Sequence, residues 1–384
     1  MTSLIPLTNT PRDYAWGTID GIAGALGWDA TGGPEAELWL GAHPLSPSRP
    51  ARAGQPWADL ADWEQRSGVV LPYLLKVLAA SSPLSLQAHP TRDQAAEGFA
   101  REEGDGIPLT ARERNYKDPN AKPELIVAVD DGFEALCGFR PAGETLAVID
   151  ALLAQADQGD ADALGVWRAQ TTAGTHDAFA WLLSDADDVD RAVDAASRIA
   201  QSHPRRFGLL DRLSRAYPGD PGVLVAQMLN HVTLAAGESL WLPAGNIHAY
   251  LQGTGVELMG PSDNVLRGGL TPKHVDRDEL QKVLDFTPGP ASWLTPVTVS
   301  TNVVSYRPAS LPSGEGVDFE LLLVTGDAVF TTGSAAIAVG VEGAYTLTVD
   351  GQDAAAARGD IVFIDEPTEV RATGAGRLFI ATGV

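Results

Sequence analysis

Residues 237–248 read GESLWLPAGNIH, and they are the most informative segment of the chain about its fold. Its apolar part, SLWL, predicts a β-strand, which Pro243 and Gly245 end in a turn. The stretch closes on His248, an imidazole that is able to bind a metal ion. The pattern predicts a β-protein in which a strand and a turn are followed by a side chain that is able to bind a metal ion.

The chain on the N-terminal side of this stretch changes character twice. Residues 71–129 are short apolar runs broken by Pro, Gly, Asn and Asp, which predicts mainly β-structure. Residues 141–227 have helical periodicity, and Asp185 is a plausible N-cap for the second of two helices. The apolar faces of these two helices consist of Leu146, Ile149, Leu152 and Leu153, and of Val189, Val193 and Ile199. A helical insertion therefore interrupts a β-domain.

The chain on the C-terminal side predicts a second, smaller β-domain. Residues 287–296 are rich in proline and predict a linker, and the strands expected beyond it read FELLLVTG, AYTLTVDG, GDIVFIDEP and RLFIATG. Residues 359–370 can be laid over residues 237–248 without gaps, which puts Val370 where His248 stands. If the two are related, the second copy lacks a metal ligand. Alternatively, the similarity between these two segments is due to chance.

Charge and composition narrow the classes of partner. The 384 residues contain 27 basic and 50 acidic side chains, a net charge of −23, which disfavours nucleic acid and anionic membranes. An anionic substrate would need a local cluster of cations. The single cysteine, Cys137, excludes an internal disulfide and suits a reducing compartment such as the cytoplasm. Residues 1–17 show no export signal, and no run of about 18 apolar residues predicts a membrane span.

Polar side chains alternate with apolar ones in three predicted strands. Because successive side chains of a strand point to opposite faces, we expect each polar set to share one face. The sets are Ser85, Gln87 and His89; Lys122 and Glu124; and His248 and Tyr250. Gln87, His89, Glu124 and His248 would form a mixed N/O metal site that suits Zn²⁺ and does not exclude Mn²⁺, Fe²⁺ or Co²⁺.

Each of these residues also has a simpler explanation. A histidine in an apolar strand is more often a hydrogen-bonded core residue than a ligand, and a Lys-x-Glu pair such as Lys122 and Glu124 is usually a solvated ion pair. Taken singly, each favours the simpler explanation.

Six motifs in order resemble one protein family. Residues 237–248 have the spacing of the second motif of the cupin barrels. With it, the chain resembles the type I mannose-6-phosphate isomerases (phosphomannose isomerases) of the cupin superfamily. The other five motifs are AELWLGAHP (36–44), LSLQAHP (84–90), NYKDPNAKPE (115–124), FEALCGFRP (133–141) and SDNVLRGGLTPK (262–273).

The resemblance implies a fold that is mainly β: a cupin (jelly-roll) barrel with an inserted α-helical domain and a second, C-terminal β-barrel-like domain. We expect the barrel in residues 1–140 and 228–290, the insertion in residues 141–227 and a metal-free β-domain in residues 291–384. The resemblance places one Zn²⁺ per chain on the four residues that strand alternation proposed. We expect a monomer that acts on a small sugar phosphate.

The implied reaction interconverts mannose 6-phosphate and fructose 6-phosphate through a cis-enediol. The resemblance makes Arg267 a catalytic residue that stabilises the enediolate or steadies the proton transfer, although a structural loop arginine next to Gly268 and Gly269 is the alternative. Lys122 and Glu257 are both candidates for proton transfer, and the residues leave the choice open.

Further residues carry weaker implications. Lys273 and Ser85 resemble the phosphate site, and Tyr250 lines the sugar pocket or belongs to the core. Many relatives have histidine immediately before the lysine of the Lys-Pro-Glu motif, whereas this chain has Ala121, so a histidine there cannot take part in catalysis.

Residues 36–44 contain Glu37, Trp39 and His43, and we interpret them as scaffold because Trp and alternating apolar residues are usual in a buried strand. Two other functions stay open. A cupin oxygenase would use redox-active iron or copper, against which Gln87 argues, and a non-catalytic sugar-phosphate-binding cupin would leave Arg267 without a role.

Overall fold

The computed structural model describes residues 2–184 and 186–384. Two large antiparallel sheets dominate these residues. The strands up to residue 270 are Leu4–Thr8 (β1), Thr18–Ile19 (β2), Pro34–Glu35 (β3), Glu37–Leu40 (β4), Arg49–Pro50 (β5), Leu74–Ala80 (β6), Leu86–Ala88 (β7), Glu124–Ala128 (β8), Phe133–Phe139 (β9), Leu229–Leu234 (β10), Ser239–Leu242 (β11), His248–Met259 (β12) and Leu266–Gly269 (β13). The strands beyond it are Val297–Ser300 (β14), Val303–Tyr306 (β15), Phe319–Val324 (β16), Ala328–Thr331 (β17), Ala336–Val349 (β18), Gln352–Ala355 (β19), Ile361–Ile364 (β20) and Glu369–Gly383 (β21).

The helices lie mainly between β9 and β10. In chain order they are Gly21–Leu26 (α1), Leu60–Ser67 (α2), Arg92–Gly104 (α3), Ala142–Leu153 (α4), Gln158–Ala173 (α5), Thr175–Leu182 (α6), Asp187–Ser202 (α7), Gly208–Ala216 (α8), Gly222–Val225 (α9) and Arg277–Val283 (α10). Short 3-10 turns follow at Ala226–Met228, Pro308–Ser310 and Pro312–Gly314. The prediction of a mainly β fold with inserted helices is confirmed.

The first sheet is built around β12, the strand that follows the turn at Pro243 and Gly245. Its strands run in the order β10-β9-β12-β6-β4, while β7 and β8 also pair with β12 and carry β13 and β11. The beginning of β12 pairs with β7 and β9, and its end pairs with β6 and β8. Strand β12 therefore places His248 next to β7 and β9, and it places Glu257 next to β6 and β8.

The second sheet contains the C-terminal strands in the order β14-β15-β16-β21-β18-β20-β1-β5. Apolar side chains from both sheets, among them Val77 and Leu258 of the first sheet and Phe363 and Phe379 of the second, form one buried cluster. Burial of such side chains is the main favourable contribution to folding. Strands β1 and β5 pair with this second sheet, although the sequence places residues 1–140 with the first domain. The proposed domain boundaries thus cut across strand pairing at the N-terminus.

The inserted helices pack onto the first sheet through the faces that periodicity predicts. Ile149 and Leu152 of α4, and Val189 and Val193 of α7, are buried together with apolar residues of β7, β9 and β12. Helix α7 begins at Asp187, whereas the predicted N-cap Asp185 lies outside the described residues.

The expectation of mainly β-structure in residues 71–129 is wrong for one long segment. Helix α3 spans Arg92–Gly104 and starts with a capping box, in which Thr91 and Gln94 each bond the other's backbone N–H. The helix has only a narrow buried stripe that includes Ala95 and Gly98, so its apolar periodicity is weak. The capping signal was present in the sequence, but the apolar runs around it dominated the interpretation.

Elements at the C-terminal end agree with the sequence pattern. Residues 284–296 form no helix or extended strand, Trp293 makes an isolated bridge to Leu240 of β11, and the linker stays a prediction. The overlay of residues 237–248 on 359–370 superposes β11 on β20 residue for residue. Val370 is completely buried in an apolar cluster at the place that corresponds to His248.

Candidate metal centre and active-site cavity

Strand register brings polar side chains together at one end of the first sheet. Gln87 of β7 lies opposite His248 of β12 on one side and opposite Arg267 of β13 on the other. His89 follows β7 directly, and Glu124 is the first residue of β8. Because neighbouring residues across antiparallel strands share a face, three strands present their polar side chains to one volume.

Two imidazoles converge on one carboxylate in this site. The Nε2 atom of His89 lies 3.3 Å from Oε1 of Glu124, and Nε2 of His248 lies 3.2 Å from Oε2. The potential ligand atoms of these three residues are all within 4.8 Å of one another, and the three side chains are at most 1% exposed. The amide of Gln87 is 3.3 Å from Nε2 of His248. The four residues proposed from the sequence as metal ligands therefore lie together.

Backbone carbonyls determine which imidazole nitrogen faces Glu124 with a lone pair. Nδ1 of His89 lies 2.7 Å from the carbonyl of Asn264, and Nδ1 of His248 lies 3.0 Å from that of Asn246. A carbonyl only accepts, so each Nδ1 donates, and an imidazole with one N–H then presents an unprotonated Nε2. The lone pairs of two Nε2 atoms and a carboxylate then face each other in a buried space, where they repel unless a cation lies between them.

The charges of the site agree with this arrangement. Burial lowers the pKa of His89 to about 4, against the opposing effect of Glu124, so its ring is neutral at pH 7. Burial alone would raise the pKa of Glu124, but the charge of Lys122 holds it well below its usual value. Nε2 of His89 and Oε2 of Glu124 have no hydrogen-bond partner among the described residues. These unpaired buried atoms fit a divalent metal bound by N and O ligands.

A cavity of about 660 Å³ opens beside this cluster. Eight of the ten residues proposed from the sequence line it, namely Ser85, Gln87, Lys122, Glu124, Tyr250, Glu257, Arg267 and Lys273. His89 and His248 contact Glu124 but are not among the residues that line the cavity. Ala121 lines a separate cavity of about 390 Å³ next to Trp241. The methyl group of Ala121, which stands where many relatives have histidine, thus lines a different cavity from the one beside the metal-ligand cluster.

Two cations in the cavity have no carboxylate partner within the described part of the chain. Burial lowers the pKa of Arg267, and burial together with Arg267 lowers the pKa of Lys273. Among residues 2–184 and 186–384, no carboxylate lies within ion-pair distance of either cation. In a protein of net charge −23, unpaired neighbouring cations indicate a binding place for an anion.

Sequence reasoning missed Lys76, which is buried at the centre of a polar network. Its Nζ atom lies 3.4 Å from Oε1 of Glu37 and 3.1 Å from Oε2 of Glu257. Tyr250 donates its hydroxyl to Glu257 at 2.9 Å, and Trp39 donates its indole N–H to Glu37 at 2.9 Å. Burial alone would lower the pKa of Lys76, yet the two carboxylates raise it, so the ammonium stays charged. A lone lysine inside the apolar run LLKVLAA was the signal in the sequence.

The interpretation of residues 36–44 as scaffold needs correction. Most of these residues are buried as expected, although Pro44 is exposed, and Glu37 and Trp39 also line the cavity. The physical reason is that Trp39 lies opposite Lys76 in the register of β4 and β6, so both strands present this row to the same space. His43 contacts Asp263, with Nε2 and Oδ2 3.2 Å apart, and packs edge-on against Trp39.

The fold and the site together define a metal-binding β-protein of the cupin type. The described residues contain no helix long and apolar enough to cross a membrane. A family model described as phosphomannose isomerase type I, catalytic domain, matches residues 4–142.

Comparisons over the whole chain give the same result. The chain is 36% identical over 390 residues to mannose-6-phosphate isomerase of Salmonella typhimurium, with 97% of each chain covered, and 30% identical to mannose-6-phosphate isomerase 1 of Arabidopsis thaliana, with 94% and 88% covered. It superposes with a TM-score of 0.86 and 33% identity on the Salmonella typhimurium enzyme bound to substrate (f6p) and zinc, with 99% of each chain covered. The chain belongs to the mannose-6-phosphate isomerase family, and the predicted family and fold class are confirmed.

Proposed function

We propose that this chain is a zinc-dependent aldose-ketose isomerase that interconverts mannose 6-phosphate and fructose 6-phosphate. The observation that carries the proposal is one cavity in which a buried His-Glu-His cluster meets two cations that have no carboxylate partner among the described residues. The cluster suits a divalent metal, and the cations suit a phosphate. Relatives with this activity, and a similar structure that holds zinc and f6p, support the same substrate.

We propose that Gln87, His89, Glu124 and His248 hold one Zn²⁺ per chain. The convergent lone pairs and the unpaired buried atoms support this assignment. When bound, the metal would supply a positive charge that stabilises negative charge on the sugar oxygens. The same N and O donors also accept Mn²⁺, Fe²⁺ or Co²⁺.

Of the cations that line the cavity, one is assigned to stabilising charge on the sugar oxygens and one to binding the phosphate. The reaction moves a proton between C2 and C1, so negative charge develops on the oxygens of the cis-enediol. We assign Arg267 to that charge, since it lies opposite the ligand Gln87 in the register of β13 and β7. Lys273 and Ser85 line the same cavity and would hold the phosphate, while Tyr250 forms part of the wall.

The contacts favour Lys122 over Glu257 for proton transfer. Both oxygens of Glu257 are already engaged, one by the hydroxyl of Tyr250 and the other by Lys76. Lys122 lines the cavity with Nζ 2.9 Å from Oε1 of Glu124 and has no further carboxylate partner among the described residues. We therefore assign Glu257 to holding Lys76 and Tyr250 in place.

We further propose that the protein works as a monomer in the cytoplasm. Its only cysteine, Cys137, is buried and unpaired, which suits a reducing compartment. The divisions at residues 141, 228 and 291 remain our proposal for the domains. The oxygenase and the non-catalytic binding protein are disfavoured, because the relatives that cover nearly the whole chain are named as isomerases.

A coupled assay tests the proposal. Zinc-loaded protein should convert mannose 6-phosphate to fructose 6-phosphate, a chelator should abolish the conversion, and added Zn²⁺ should restore it. Metal-replete, folded protein that binds the sugar phosphate without turnover would establish the non-catalytic alternative. Oxygen consumption by iron-loaded protein without isomerisation would establish the oxygenase.

A further inference from the structure

Asn264 lies completely buried between β12 and β13 and satisfies all four hydrogen-bonding positions of its side chain. Its Oδ1 accepts from the backbone N–H groups of Lys117 at 2.7 Å and Asp118 at 3.3 Å. Its Nδ2 donates to the carbonyls of Asp118 at 2.8 Å and Asn120 at 2.9 Å. Backbone groups have fixed donor and acceptor roles, so the orientation of this amide is unambiguous.

The segment that Asn264 holds leads directly into the metal site. Residues 117–120 form neither helix nor strand, so the ladder hydrogen bonds that fix the rest of the sheet are absent from this described segment. Lys122 follows two residues after its end, and Glu124 follows four residues after it. Glu124 is the first residue of β8, so the backbone on its N-terminal side is held in part by the amide of Asn264 rather than by a strand ladder.

The main chain of the same residue holds a second ligand. The carbonyl of Asn264 accepts from Nδ1 of His89 at 2.7 Å, which keeps the Nε2 lone pair of His89 towards Glu124. Arg267 lies three residues further along the chain, at the start of β13. Asn264 thus contacts the two segments that carry His89 and Glu124, and it belongs to the segment that carries Arg267.

Neighbouring residues reinforce this contact. The hydroxyl of Ser262 accepts from the backbone N–H of Asn264 at 3.2 Å and donates to the carbonyl of Asn120 at 3.2 Å. The backbone N–H of Asp263 donates to Oδ2 of Asp118 at 2.9 Å. Residues 262–264 and 117–120 are thereby joined by hydrogen bonds in both directions.

We infer that Asn264 is a positioning residue that sets the geometry of the metal site, by fixing the tautomer of His89 with its carbonyl and the approach of Glu124 with its amide. The inference deepens the proposed function and rests on it. It assigns a role to a residue that touches no reacting atom. Outer-shell partners of this kind typically change metal affinity by 10- to 100-fold.

Asn264→Asp provides the test, because it keeps the shape and removes the two donors to Asp118 and Asn120. We expect the dissociation constant for Zn²⁺, measured by competition with a chromophoric chelator, to rise about 10- to 100-fold. We also expect the visible spectrum of the Co²⁺-substituted protein to change, since ligand geometry sets that spectrum. The melting temperature of the chelator-treated protein is measured in parallel.

Asn9→Asp is the matched control. The Nδ2 atom of Asn9 donates to the carbonyls of Trp39 at 2.7 Å and Ser46 at 2.9 Å, and neither carbonyl belongs to a ligand segment. This control should lower the melting temperature and leave zinc affinity within about twofold. If Asn264→Asp does not fold, Ser262→Ala decides the question, with a smaller loss of zinc affinity in the same direction.

Folded Asn264→Asp with unchanged zinc affinity and an unchanged Co²⁺ spectrum would overturn the inference and leave Asn264 a structural residue. The proposed function fails separately, if zinc-loaded wild-type protein does not isomerise mannose 6-phosphate. Because the inference is judged on zinc affinity and the function on wild-type turnover, the two failures are distinguishable.

Discussion

Lys76 and Glu257 face each other across β6 and β12, with Nζ 3.1 Å from Oε2. Both side chains are buried, and Glu37 contacts the same ammonium from β4. Two carboxylates in an apolar sheet are stable as anions only while a cation compensates them. The charge of Lys76 therefore stabilises the two carboxylates, Glu37 and Glu257, that line the cavity.

We expect Lys76→Met to lower the free energy of unfolding by roughly 3 to 5 kcal/mol, since it leaves two buried carboxylates without a compensating cation. Urea unfolding of the chelator-treated protein measures this change. Arg66→Met serves as the control, because Arg66 forms a surface pair with Asp62 whose loss should leave the free energy of unfolding nearly unchanged. Equal losses in the two variants would contradict the role of Lys76.

Arg267→Ala should retain zinc and lose turnover. The guanidinium has no carboxylate partner among the described residues, so its removal leaves no buried anion, and we expect kcat to fall about 100-fold or more. Elemental analysis and the coupled assay measure the two properties on one sample. The comparison variant His248→Ala should lose metal and activity together. Near-normal kcat in Arg267→Ala would show that the proposed role is wrong.

Lys273→Ala should act mainly on substrate binding. A charge-assisted hydrogen bond to a phosphate contributes roughly 1.5 to 3 kcal/mol, so KM for mannose 6-phosphate should rise about 10- to 100-fold while kcat changes little. Steady-state kinetics separate the two constants, and Lys282→Ala, an exposed lysine on α10, should leave both unchanged. An unaltered KM in Lys273→Ala would move the phosphate to another part of the cavity.

Glu279→Gln should destabilise the protein in a pH-dependent way. Burial alone would raise the pKa of Glu279, but hydrogen bonds from Arg101, Lys282 and Tyr116 hold it below its usual value. A depressed pKa in the folded state contributes stability that is complete above the unfolded value of about 4.3 and is lost as the pH falls through the folded value.

The two proteins should therefore differ by about 1 kcal/mol in free energy of unfolding at pH 7, since Arg101 and Lys282 are largely exposed. The difference should shrink below pH 4. Urea titrations at pH 7 and pH 3.5 measure it, with Glu97→Gln on the same helix as Arg101 as the control. A difference that stays constant with pH would refute the ionic origin.

The candidate metal ligands were predictable because the information is local. A strand repeats every two residues, so the sequence could place Gln87 with His89, and Lys122 with Glu124, although His89 follows β7 and Lys122 precedes β8. The turn in residues 237–248 likewise sets His248 at the beginning of the following strand. Helix α3 was missed because its buried stripe is narrow, and its capping box, although local, competed with stronger apolar signals on either side.

By itself, the sequence determined the strand faces, the helical insertion and the residue types that hold a metal, since each depends on short-range periodicity and spacing. Only the tertiary structure decided that Lys76 compensates both Glu37 and Glu257, and that Asn264 joins the segments of His89 and Glu124. These contacts connect residues that are 39 to 181 positions apart along the chain. Strand order and register bring such residues together, and neither can be derived from the local pattern of any one segment.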